Sequence, residues 1–236
     1  QLGPNAYGKP ATALNILRET VMGPELFDHA FKTYAQRWKF KHPTPEDFFR
    51  TMEDASAVDL DWFWRSWFYT TDYVDIGVKE VKKYYVSDTP TAQMKEYMET
   101  NGISEADLPP LVYLAEEDSE DFDPAMKGKA PSETSQPLKE FMMDNMTIEE
   151  RANVREPKYF YQVTFDKPGG IPMPLIVEYS YADGTKETVT YPPEIWRKND
   201  AEVSRVISSQ SELTGIVVDP KMETADIDTQ NNSWPK

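Results

Sequence analysis

Cysteine is absent from all 236 residues, so the chain can build no disulfide framework, thiolate metal site or thiol nucleophile. Histidine is nearly absent, with His29 and His42 as the only two. Neither opens an H-E-x-x-H motif, because Ala30 follows the first and Pro43 the second. A zinc site of that kind needs two His one helical turn apart, both facing one ion. The chain alone is therefore expected to hold no catalytic zinc, and both His are expected on solvated surface. Long apolar runs are missing too: nothing approaches the roughly 20 residues of a membrane-spanning helix. Positive charge is short, with 25 Lys and Arg against 41 Asp and Glu and a formal net charge of -16. Such a chain repels nucleic acid and anionic membrane, which excludes a phosphate-reading role. No G-x-S-x-G, P-loop or G-x-G-x-x-G is present. The opening Gln1-Leu2-Gly3-Pro4 has no initiator Met and no basic or apolar leader. It reads as a chain whose upstream residues lie outside this sequence. The compartment is left open, with a periplasmic or extracellular setting as the expectation.

What is present is a strong apolar and aromatic content: 39% hydrophobic residues, with 6 Trp, 13 Tyr and 11 Phe. Residues 1–72 carry a helical period. Pro10 suits a first helical turn, and Leu14, Leu17 and Val21 follow at helical spacing. Gly23-Pro24 ends that helix and starts another, whose stripe is Phe27, Phe31, Tyr34, Ala35 and Trp38. Thr44-Pro45-Glu46-Asp47 is a capping signal for a helix with Phe48, Phe49, Met52 and Ala55 on one face. Asp59 can cap a fourth helix bearing Leu60, Phe63, Trp64, Trp67 and Phe68.

The period changes after residue 72. Val74, Ile76 and Val78 alternate with polar or small residues, and Tyr84-Tyr85-Val86 follows. Strand signals return at residues 159–165, 174–181, 187–191, 203–208 and 213–218. Asp183-Gly184 between two alternating runs marks a hairpin. Five to seven such strands predict a small antiparallel sandwich over residues 73–236. Residues 87–157, rich in acidic residues, Pro, Ser and Met, read as an acidic insertion between two of its strands. Short helices are expected there at residues 91–100, 138–146 and after Thr147. The run Glu116 to Asp123 lacks the Gly and terminal Glu of an EF-hand and reads as a solvated loop. Gly169-Gly170 is assigned a turn.

One ordered set of residues goes further. It comprises Tyr7-Gly8-Lys9-Pro10, Gly23, Asp47-Phe48, Met52-Glu53, Ser56, Asp59-Leu60, Phe63 and Trp67. This order resembles the aminopeptidase N family of zinc gluzincins just after their zinc-binding helices. Pro172-Met173-Pro174, Asp183-Gly184 and Glu194-Ile195-Trp196 resemble that family's β-sandwich. The family often has Glu and Gly where Gly8 and Pro10 stand here. Its zinc helix and its G-x-M-E-N motif are not in this chain.

The resemblance implies an α+β protein: the helical C-terminal part of a thermolysin-like catalytic domain at 1–72, then the sandwich. It implies a zinc metallo-aminopeptidase that removes N-terminal residues from peptides. Zinc is expected on an upstream part, present as the same protein or as a separate chain, which this chain would contact. Residues 5–22 are expected to line the cleft and to leave Leu14, Leu17 and Val21 open to that part. Tyr7 is then the catalytic residue, its phenol O–H donating to the oxyanion of the tetrahedral intermediate. Read without the resemblance, Tyr7 is an ordinary packed aromatic at a helix start. A non-catalytic binding or scaffold module retaining the same fold is the alternative. A free-standing adhesion sandwich would account for residues 159–218 and leave Tyr7 to Trp67 without a role.

Overall fold

The computed structural model describes residues 2–87, 92–104, 113–116, 143–144, 147–148 and 159–235. The fold is α+β. Its first helix starts earlier than Pro10 suggests. A π-helical turn, Pro4–Gly8, runs into α1 (Lys9–Ile16) and then a second π-helical turn, Leu17–Met22. The Lys9 N–H reaches back five residues to the Pro4 carbonyl. This wider turn lets the helix pass Pro10, which has no N–H and whose ring crowds the carbonyl four residues back. Gly23 then breaks the helix with φ 84°, a conformation that a residue bearing Cβ rarely adopts.

Helices α2 (Pro24–Trp38), α3 (Pro45–Ser56) and α4 (Asp61–Tyr69) follow. The capping signal of α3 is real: Asp47 Oδ2 accepts the Thr44 N–H at 2.9 Å. At α4 the cap is shared. Asp59 accepts the Asp61 N–H at 3.2 Å, and Glu53, reaching across from α3, accepts the Leu60 N–H at 2.9 Å. An aromatic cluster joins the three helices. Tyr34 meets Phe48 edge-on at 4.8 Å, and Phe49 stacks on Trp64 at 4.6 Å. Such pairs add about 0.5–1.5 kcal/mol each beyond their area burial.

The strands form two antiparallel four-stranded sheets among the described residues. One has the order β2-β1-β3-β6, from β1 (Gly77–Ser87), β2 (Tyr113–Glu116), β3 (Tyr159–Asp166) and β6 (Glu202–Ser209). The other has the order β5-β4-β7-β8, from β4 (Leu175–Tyr181), β5 (Lys186–Tyr191), β7 (Leu213–Val218) and β8 (Ser233–Trp234). The Asp183-Gly184 signal sits in the β4–β5 hairpin, with Gly184 at φ 84°. Strands β1 and β3 pair directly, so the stretch between them, including helix α5 (Ala92–Asn101) and β2, is inserted between neighbours. The strand count is one above the expected range because β2 and β8 carry little sequence signal. The helices expected at 138–146 and after Thr147, and the acidic run beyond Glu116, fall largely outside the described residues.

The core is continuous from helices to sandwich. Phe63 and Trp67 of the helices join Val74, Ile171, Met173 and Trp196, and these join Tyr161, Val163, Leu175, Val177 and Ile216 between the sheets. Two bonds are diagnostic. The Tyr161 hydroxyl on one sheet accepts the Leu213 N–H of the other at 3.0 Å, fully buried. Thr20 Oγ1 donates to the Glu223 carbonyl at 2.9 Å, tying the first helix to the loop after β7. Gly169 lies in a bend between β3 and β4, in line with the turn assigned to it, and meets a second constraint. A Cβ there would lie 2.6 Å from the Asp75 nitrogen, so the residue is small because the backbone of 73–75 passes against it.

Candidate active-site helix

Tyr7 lies in the π-helical turn Pro4–Gly8, and its side chain is 77% exposed. Its hydroxyl meets no partner among the described residues. Gly8 has open space where a Cβ would stand, so no close contact demands a glycine there. Lys9, two residues on, is half-buried, and its Nζ donates to the Thr70 carbonyl at 3.1 Å. That bond pins the helix start to the end of α4 and explains physically why a Lys accompanies the Tyr. A charged donor to a partly buried carbonyl contributes about 1.5–3 kcal/mol at the strong end of hydrogen bonds.

A cleft of about 580 Å³ opens beside this helix. Asn5, Lys9 and Thr12 line it, spaced for one helix face, opposite Trp67, Thr70–Val74 and Ala225. Tyr7 is not among the lining residues, so the chain's own cleft and the exposed phenol lie on different faces of the helix. The expectation that Leu14, Leu17 and Val21 stay open for an upstream part is overturned. Leu17 is fully buried, and Leu14 and Val21 are half-buried against the core of this chain. Leu17 is covered because α2 folds back immediately after Gly23. The exposed apolar side chains of this helix are instead Leu2 and Tyr7, at its start.

His29 and His42 are both exposed and lie thirteen positions apart, on α2 and in the loop before α3. They form no ligand pair. The acidic groups that do come together are Glu53, Asp59 and Asp61, whose carboxylate oxygens lie within 4.8 Å of one another. Burial pushes the Glu53 carboxyl above its ordinary range, and the charges of Asp61 and Asp59 push it further. Glu53 is already engaged by the Leu60 N–H and Asp59 by the Asp61 N–H, so these two brace the α3–α4 connection. In the sequence Glu53 belongs to the ordered motif, and Asp59 to that motif and to the cap of the fourth helix. The E-x5-D-x-D spacing across a helix break was the signal that they meet.

No family model matches the sequence, and no curated protein does either.

Proposed function

We propose that this chain is the C-terminal part of a zinc-dependent aminopeptidase acting on peptides, with the Tyr7 hydroxyl as its own contribution to the reaction. The observation that carries the reading is an exposed phenol without a partner among the described residues, on a helix turn anchored by Lys9 to Thr70. An aromatic kept for packing buries its ring, as Tyr161 and Tyr179 do here. Tyr7 presents ring and hydroxyl outward instead, where a neighbouring part of the protein and a substrate can reach it.

The zinc that the resemblance implies does not fit the residues described. The two His are apart, and the carboxylate trio found among the described residues brings no His with it, while its half-buried member, Glu53, is held by the Leu60 N–H. The metal therefore belongs to an upstream part under this reading, and the chemistry of this chain is confined to Tyr7. A phenol O–H is a hydrogen-bond donor. Aimed at a tetrahedral oxyanion, it stabilises charge that exists only in the transition state, a contribution worth about 2.7–4 kcal/mol for one donor. It passes no proton.

The test is the full reading frame, expressed and assayed on aminoacyl anilides with zinc measured in the same preparation. The reading expects turnover, one tightly held zinc, and loss of both on chelation. A folded full-length protein that holds zinc and releases no N-terminal residue from any peptide would favour the non-catalytic module.

A further inference from the structure

A groove of about 340 Å³ lies where the α3–α4 connection meets the 3₁₀ turn Pro193–Arg197. It shares no lining residue with the cleft beside Lys9, so it stands apart from the Tyr7 helix. Its apolar surface comes from two indoles. Trp196 is buried and fixed, its Nε1–H donating to the Met173 carbonyl at 3.0 Å. Trp62 is half-buried and packs edge-on against Phe63 at 5.5 Å. Proline rings at 172 and 193 stand beside them.

The charge around these rings is one-sided. Asp59, Asp61, Glu194 and Asp200 line the groove against a single basic residue, Arg197. Asp200 is also paired with Lys167 at 3.1 Å, so four carboxylates face two cations and an excess of two negative charges remains. The carboxylates of Asp59, Asp61 and Glu194 are exposed and keep their outward lone pairs free for a ligand. The field is felt next door, where Asp61 and Asp59 add to the burial that raises the Glu53 pKa.

Each ligand class makes a different demand on such a surface. A bare metal ion uses oxygens and leaves both indoles idle. A phosphate or an acidic peptide is repelled. A neutral apolar ligand leaves the carboxylates unpaired. A guanidinium uses everything present: its plane stacks on an indole, its N–H groups fork onto carboxylates, and its methylene stem covers the apolar floor. The volume suits one such side chain with its backbone, at the small end of the ~300–1,000 Å³ of ligand pockets.

We propose that this groove docks an arginine side chain of a peptide or protein segment. Charge complementarity selects the occupant, and the Trp62 ring gives the groove its preference for a planar cation.

The experiment is calorimetric titration of the protein with acetyl-tetraarginine amide and with its tetracitrulline counterpart, in which a neutral urea replaces each guanidinium. It is run at about 0.15 M salt, where exposed charges beyond ~8 Å are screened. The arginine peptide is expected to bind at least about tenfold tighter than the citrulline peptide. Trp62→Ala leaves every charge in place and is expected to weaken it at least about threefold. Glu194→Gln, on the separate 3₁₀ turn, is expected to do the same through charge. Glu99→Gln, an equal loss of charge on α5, is expected to leave binding within about twofold. Circular dichroism shows that each variant folds, and Glu194→Gln carries the test if Trp62→Ala does not. Equal affinity for both peptides overturns the proposal. So does equal weakening by Glu99→Gln, which would mean general attraction to an acidic chain.

Discussion

Two tyrosines in the sandwich make a matched pair. Tyr161 and Tyr179 are 1% and 2% exposed, and both rings fill the core. Their hydroxyls differ. That of Tyr161 accepts the buried Leu213 N–H at 3.0 Å and so links the two sheets. That of Tyr179 is buried beside Tyr191 without a hydrogen bond of normal geometry, and burial drives its pKa well above the ordinary tyrosine value. Replacing either by Phe removes one oxygen and keeps the ring. In Tyr161→Phe the Leu213 N–H is left buried and unpaired, which costs about 1–3 kcal/mol. In Tyr179→Phe a desolvated hydroxyl disappears, which should leave stability unchanged or raise it by about 0.5–1 kcal/mol. Each kcal/mol moves the Tm of a chain this size by about 2–4 °C, so a difference of about 2 kcal/mol, the middle of these ranges, should separate the two variants by about 4–8 °C. Urea unfolding followed by Trp fluorescence gives the same ordering, with m unchanged. Equal stability of the two variants, or a larger loss in Tyr179→Phe, would refute the claim that the Tyr161–Leu213 bond joins the sheets.

Two more outcomes follow from the packing. Gly169→Ala should destabilise by about 1–3 kcal/mol in chemical denaturation, because the added methyl meets backbone that cannot move aside. Asp226→Asn tests a half-buried carboxyl whose pKa is raised above its ordinary 3.8, mainly by burial, with the Asp75 charge as a lesser cause. A raised folded pKa favours folding below the unfolded value, and that advantage is lost as pH rises through the folded one. Asn does not titrate, so the stability of Asp226→Asn relative to the parent should improve from pH 3 to pH 7 in paired urea titrations. A difference that stays flat, or reverses, would contradict the assignment.

Much of the scaffold was legible in local sequence. Thr44 and Asp47 announced the start of α3, Gly23 the break before α2, and Asp183-Gly184 the β4–β5 hairpin, because each depends on residues a few positions apart. What failed depended on distant neighbours. Pro10 looks like a helix start until a π-helical turn carries the helix past it. Leu17 looks free for a partner until α2 covers it. The passage of residues 73–75 against the Gly169 bend has no local signal. The groove at Trp62 draws on three stretches of chain, 59–62, 172 and 193–200, the first of them more than a hundred positions from the other two. No local period could bring Asp61 beside Glu194. Tyr7 stood out through the ordered motif around it, and its exposure adds a physical reason to single it out.

The central claim is that the Tyr7 hydroxyl stabilises an oxyanion, and it is tested most directly by kcat for Tyr7→Phe in the full-length protein on an aminoacyl anilide. The substitution removes the donor and keeps the ring, and an exposed side chain leaves little for folding to lose. Since the oxyanion exists only in the transition state, KM and zinc content should hold while kcat falls by about 10²–10³. A kcat within about threefold of the parent, at equal zinc, would make Tyr7 a surface aromatic and leave this chain without a part in the chemistry.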